Sequence, residues 1–305
     1  MPYLSHLTGE TPTSAQPDLY YRDYGSGPET IVLVHGWPFS LDMWEHQWTT
    51  LPHEGYRVVA YDRRGFGKSG KPFGGYDYDT LAGDTQRVME ALDLRNVTLV
   101  GFSMGGGEVA RYIGKHNGEG RVDRAVFVSS VTPYLQRAGD NPDGADPEIF
   151  AGMKDGLRAD RAKFLANWAK TFYGVGLLSH PVSDHWLDFT FDKVMEASPV
   201  ATLACVDAFA KTDFRADLES ATVPCLFIHG ADDEIVPPGV SVERAVGMTA
   251  AAEKKIYDGA PHGIPVTHPE RFNADLKDFI AAHPGSATRL GSAGAKTGVA
   301  GSAIA

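Results

Sequence analysis

Residues 97–116 read VTLVGFSMGGGEVARYIGKH. Val97 to Val100 is a short apolar run, as expected of a strand buried on both faces. Gly105 to His116 has the length and pattern of a helix. Between them stands Gly101-Phe102-Ser103-Met104-Gly105. A serine at the apex of a sharp strand-to-helix turn is crowded by the residues two before and two after it. Glycine at both places removes the clash. Gly106 and Gly107 further allow close packing of helix and sheet. The stretch therefore predicts a strand, a strained turn that presents Ser103, and a helix. A glycine-rich turn without chemistry is the plainer reading of the string, so its partners have to be found elsewhere in the chain.

The same alternation extends outward on both sides. Thr30–Val34, Arg57–Tyr61, Ala125–Val128 and Cys225–Ile228 are further apolar runs, and Lys255–Tyr257 is a weaker one. Helix-length segments separate them at 41–51, 78–92, 240–250 and 269–281. Strand–helix alternation predicts an α/β fold with a doubly wound, mostly parallel sheet. The alternation stops after Val131. From Thr132 to about Ser220 no buried strand is evident, and the segment carries Phe150, Phe164, Trp168, Phe172, Trp186 and Phe209 in helical stretches. It reads as a helical cap inserted between two strands. The expected organisation is an N-terminal extension (1–18), a core (19–131 and 221–284), the cap (132–220) and a flexible tail (285–305). The tail is small-residue sequence with too little apolar surface to offset its ordering entropy.

Composition bounds the function. The chain has 305 residues, 43% of them apolar, enough for a large core, and a formal charge of −11. An acidic protein is a poor nucleic-acid binder, and no apolar run reaches the roughly 18 residues of a membrane span. The N-terminus is polar and lacks the basic-then-apolar order of a secretory signal. Cys205 and Cys225 are the only cysteines and are expected as buried free thiols. The expected location is the cytoplasm. Cysteine and histidine lack zinc spacing, so no metal is expected.

A serine hydroxyl needs a base and an orienting acid. With this topology they follow in the order serine, acid, histidine. The run ending at Ile228 continues into His229-Gly-Ala-Asp232-Asp233-Glu234-Ile235-Val-Pro237, a loop with three carboxylates. Gly259-Ala-Pro-His262-Gly263 follows the last strand and places a histidine in a turn. His35 and His229, at strand ends, read as structural. An oxyanion hole needs two convergent N–H groups. Met104 follows the serine, and His35-Gly36-Trp37-Pro38 follows the first strong strand. Proline has no N–H, which leaves Trp37 as the second donor. The glycines of Asp62-Arg-Arg-Gly-Phe-Gly-Lys-Ser69 match no phosphate-binding pattern, and this segment reads as a structural loop.

Together these strings resemble the bacterial arylesterase and cofactor-free haloperoxidase (perhydrolase) branch of the α/β-hydrolases. The likeness runs from about Leu19 to Ala282, and the string Ser103 to Tyr112 is specific to that branch. The resemblance implies Ser103 as nucleophile, His262 as base and Asp233, rather than Asp232, as acid, with Trp37 and Met104 as oxyanion donors. It implies hydrolysis of small aryl or short-chain esters without a cofactor. Some relatives form peracids from carboxylic acids and hydrogen peroxide, others open lactams, and many form homo-oligomers. Proline after the oxyanion tryptophan, here Pro38, accompanies perhydrolase activity in the branch. Pro38, Phe164, Trp168, Phe172 and Ile235 are the expected pocket residues. A catalytically silent ligand receptor of the same fold is the alternative from another class.

Overall fold

A computed structural model describes residues 2–285. Seven strands form one sheet: β1 (Tyr21–Tyr24), β2 (Thr30–Val34), β3 (Arg57–Tyr61), β4 (Val97–Phe102), β5 (Val122–Val128), β6 (Cys225–Gly230) and β7 (Ala252–Tyr257). Their order across the sheet is β1-β3-β2-β4-β5-β6-β7. β1 runs antiparallel to β3 and every other pairing is parallel. β2, β4 and β6 are buried along their whole length, which is why they read as continuous apolar runs.

The edges depart from the sequence reading. β1 was not expected, because only Tyr21 of its four residues is buried. β7 starts three residues earlier than its apolar signal, since Glu253 and Lys254 lie exposed on the edge strand. The single helix expected over 41–51 is instead a 3-10 turn (Leu41–Trp44), one α-turn (Glu45–Trp48) and a second 3-10 turn (Leu51–Glu54). Pro52 belongs to the last of these, where its missing N–H is harmless.

Five longer helices matter for the site. They are α1 (Tyr78–Ala91), α2 (Met104–Lys115), α3 (Pro147–Phe172), α4 (Asp184–Met195) and α5 (Pro199–Lys211). Segment 132–220 contains no named strand, and within it α4 and α5 each pack against α3. α3 is broken at Asp160, which is extended and accepts the Lys163 N–H at 2.9 Å, capping the second half. The short helix Arg215–Glu219 packs against α2 rather than with the cap helices. Cys205 and Cys225 are both free and buried. Among the described residues no helix is long and apolar enough to cross a membrane. All but the first residue of the expected tail, 286–305, lies outside the described residues.

Candidate active site

The ends of β2, β4, β6 and β7 converge on Ser103. Its backbone has φ +52° and ψ −117°, the strained turn the glycines anticipate. A Cβ on Gly101 would sit 2.4 Å from Gly105 O, and one on Gly105 would sit 2.4 Å from Val34 O. Either substitution would force the turn open. The Ser103 N–H donates to Val128 O at 2.8 Å, and Ser103 O accepts from Gly106 N–H at 2.9 Å. The turn is thus bonded to both β5 and α2.

The acid loop brings Asp233, not Asp232, to His262. Asp233 Oδ2 lies 2.6 Å from His262 Nδ1, and both side chains are fully buried. Asp232 is exposed, its N–H turned to Ala260 O. Asp233 Oδ1 accepts from the N–H groups of Ile235 (3.0 Å) and Val236 (2.8 Å). Burial alone would push the Asp233 carboxyl up. His262 and His229 together hold it well below the usual carboxylate range.

His229 is the residue whose part the sequence reading missed. Its Nε2 is 2.8 Å from Val236 O, an acceptor only, so Nε2 carries the hydrogen. The same N–H faces Asp233 Oδ2 at 3.2 Å. The available signal was its spacing, four residues before the acid at the end of the same strand.

The His262 ring packs between Phe102 (centroids 5.0 Å apart) and Phe172 (5.1 Å). Its Nε2 is buried and has no hydrogen-bond partner among the described residues, Ser103 included. Resting sites often hold such bonds long, to be tightened when substrate binds. Gly36 closes the other side. A Cβ there would lie 3.2 Å from Ser103 Cβ, so the Gly36-Trp37 turn is close against the serine. Among the described residues neither the Trp37 nor the Met104 N–H has a protein acceptor.

Ser103 opens onto a cavity of about 140 Å³. Trp37, Trp168, Phe150, Phe209 and Ile235 are among its walls, and Glu234 is the only carboxylate lining it among the described residues. The Trp37 indole stands edge-on to Trp168 at 5.4 Å and donates its N–H to Thr202 O in α5 at 3.0 Å. Of the residues named for the pocket, Trp168 and Ile235 line this cavity, and Phe164, Phe172 and Pro38 lie elsewhere. Phe164 lies over Gly156 within α3, where a Cβ would meet its ring at 2.5 Å. Phe172 is committed to the His262 ring and to Phe39 (4.9 Å). Pro38 is buried in the turn that Phe39 N–H closes on Gly36 O at 3.1 Å.

With this geometry in place, residues 29–269 match the family described as alpha/beta hydrolase fold. The chain is an α/β-hydrolase. This α/β-hydrolase is 40% identical over 274 residues to the non-heme chloroperoxidase of Streptomyces lividans, covering 89% of this chain and 99% of that one. It is 35% identical over 278 residues to a bifunctional esterase/perhydrolase of Acinetobacter calcoaceticus, covering 89% and 99%. The crystal structure of the bromoperoxidase from Bacillus anthracis matches with a TM-score of 0.84 at 44% identity, covering 87% of this α/β-hydrolase and 96% of that chain.

Proposed function

We propose that this α/β-hydrolase is a serine esterase for small neutral esters. Ser103 Oγ attacks the ester carbonyl while His262 Nε2 takes its proton. Asp233 keeps the remaining hydrogen on Nδ1 and stabilises the imidazolium that forms. The Trp37 and Met104 N–H groups receive the developing oxyanion. His262 then gives its proton to the departing alcohol oxygen, leaving an acyl-serine. Water, deprotonated by the same Nε2, attacks this ester; the imidazolium then returns that proton to Ser103 Oγ as the acid leaves.

One observation carries the reading: the two nitrogens of His262. Nδ1 is committed to a buried carboxylate at 2.6 Å, while Nε2 is buried and unbonded in the residue packed on Phe102, the neighbour of Ser103. That is the tautomer and the free lone pair a general base requires. The cavity supports an apolar substrate part about the size of one aromatic ring, since an apolar cavity of about 150 Å³ admits benzene. A cytoplasmic location suits the free thiols Cys205 and Cys225.

The names of the relatives favour a second outcome at the same acyl-serine. Hydrogen peroxide in place of water transfers the acyl group to a peroxide oxygen, giving a peracid and restoring the serine. The test is turnover of p-nitrophenyl acetate, with a fluorophosphonate abolishing it and labelling Ser103. Peracid formation from acetate and peroxide, lost on the same labelling, tests the second outcome. Turnover that survives complete labelling of Ser103 would remove the serine mechanism.

A further inference from the structure

The segment 62–69 reads as a structural loop, yet its Arg63 is among the most buried side chains in the protein, 1% exposed. Its guanidinium pairs with Glu108, itself fully buried, and Nη2 donates to His35 O at 2.5 Å. Tyr61 donates its hydroxyl to the other Glu108 oxygen at 3.1 Å. Arg63 also uses its backbone: its N–H donates to His35 Nε2 at 2.9 Å. That bond requires Nε2 to be the bare nitrogen, so Nδ1 carries the hydrogen and donates to Gly36 O at 2.8 Å. Burial and the neighbouring guanidinium both hold the His35 pKa well below its ordinary value, which keeps the ring neutral.

The consequence falls on the next peptide. Gly36 O accepts from His35 Nδ1 and from Phe39 N–H. In a planar trans peptide the carbonyl and the following N–H point in opposite directions. Fixing Gly36 O therefore fixes the direction of the Trp37 N–H. At the other end of the chain of contacts, Glu108 stands one helical turn beyond Met104 on α2. The first turn of α2 also abuts the His35 loop, since a Cβ on Gly105 would lie 2.9 Å from His35 O. One buried cluster thus links the peptide before Trp37 to the helix that begins at Met104.

We propose that Arg63 is a positioning residue, which through Glu108 and His35 holds the Trp37 and Met104 N–H groups at the spacing and direction an oxyanion requires. The inference rests on the serine-esterase reading above. It gives the 62–69 loop a part in catalysis without contact to substrate.

The test uses Arg63→Lys and the double variant Arg63→Met/Glu108→Leu. Lysine keeps a cation opposite Glu108 but cannot reproduce the fork that also serves His35 O. The double variant removes both charges together, the change a buried pair tolerates best. Active enzyme is counted by fluorophosphonate labelling of Ser103. kcat and KM for p-nitrophenyl acetate, and inhibition by a neutral trifluoromethyl ketone whose adduct carries the oxyanion, are then measured per labelled site. Arg63→Lys should lower kcat about tenfold or more, with KM changed less than about twofold, and should weaken the ketone by the same factor as kcat. The double variant should move the same way. Unchanged kcat and ketone affinity per labelled site, in whichever of the two folds, with only the melting temperature lowered, would make the cluster a fold brace and overturn the proposal. Wild-type protein left unlabelled at Ser103 would overturn the esterase reading itself, and the proposal with it.

Discussion

Two buried charge clusters flank Ser103, and they differ in one atom. In the first, every buried side-chain acceptor has a donor: the Glu108 oxygens take Arg63 and the Tyr61 hydroxyl, and His35 Nε2 takes the Arg63 backbone N–H. In the second, Asp233 accepts three hydrogen bonds and faces the His229 N–H, but among the described residues His262 Nε2 has no partner. A buried polar atom left without a partner costs about 1–3 kcal/mol, so it persists where it is needed. The closed cluster is built to stay as it is. The open one is built to accept a proton. Substitutions in the open cluster should therefore cost rate out of proportion to stability, and those in the closed cluster should cost stability as well.

The largest effect is expected at the serine. Ser103→Ala should lower kcat by roughly 10³-fold or more while shifting Tm little, because the change deletes one hydroxyl and leaves the strained backbone as it was. A folded alanine variant of near-native rate would break the contrast at its centre. Next comes the acid. Asp233→Asn should cost about 10²-fold or more in kcat, because an amide NH₂ facing Nδ1 favours the wrong tautomer of His262. Asp232→Asn, on an exposed side chain, should stay within about twofold in kcat. Equal losses in both variants would mean that the loop carboxylates act as a field rather than as one oriented acceptor.

For the closed cluster the sharper readout is stability. Glu108→Gln leaves the Arg63 guanidinium buried without its countercharge. Breaking such a pair costs about 3 kcal/mol or more. Thermal unfolding of Glu108→Gln beside Ser103→Ala measures the contrast directly. A Tm loss no larger than that of Ser103→Ala would show that Arg63 finds another acceptor, and that the cluster is less closed than its contacts suggest.

How much of this could be read from the sequence follows from burial. Strands β2 and β3 end where their apolar runs end, because both faces are covered. β1 and β7 lie at the sheet edges, where half-buried Arg22 and exposed Asp23, Glu253 and Lys254 break the signal. The elbow was legible because sterics at Gly101 and Gly105 are local. Chain order narrowed the acid to the three carboxylates of the loop after β6, and only the resemblance singled out Asp233. The cavity walls were not legible, since α3 and α5 reach the serine only through tertiary packing, and Phe172, an apparent pocket residue, is used against His262 instead. Arg63 and His229 were hidden for another reason. A charged or imidazole side chain at a strand end reads as solvated or merely structural until its partners, Glu108 and Asp233, are seen in space.

The smallest expected effect concerns Asp62, next to Arg63. It is buried and accepts the N–H groups of Leu41 and Lys68, each at 2.7 Å. Burial pushes its pKa up to about 7, the two N–H donors only partly offsetting this. A carboxyl whose folded pKa lies above its unfolded value binds a proton more tightly when folded. Its contribution to stability is therefore fully present below about pH 4 and is lost as pH rises through about 7. Asp233 has the opposite sign. Its depressed pKa gives stability that is present above about pH 4 and falls away only in acid, so it is silent in this window. Asp62→Asn removes the titration but also mismatches one N–H donor, so its absolute stability drops at every pH. The informative quantity is the slope. Between pH 5 and 7 the unfolding free energy of the wild type should decline by roughly 2 kcal/mol more than that of the variant. Urea titrations of both proteins at these two pH values measure it, and all other groups cancel in the difference. Parallel slopes would mean that the two N–H donors keep Asp62 ionised across the window. The 62–69 loop would then carry a second fixed charge beside Arg63, and the closed cluster would extend one residue further than its contacts with Glu108 and His35 define.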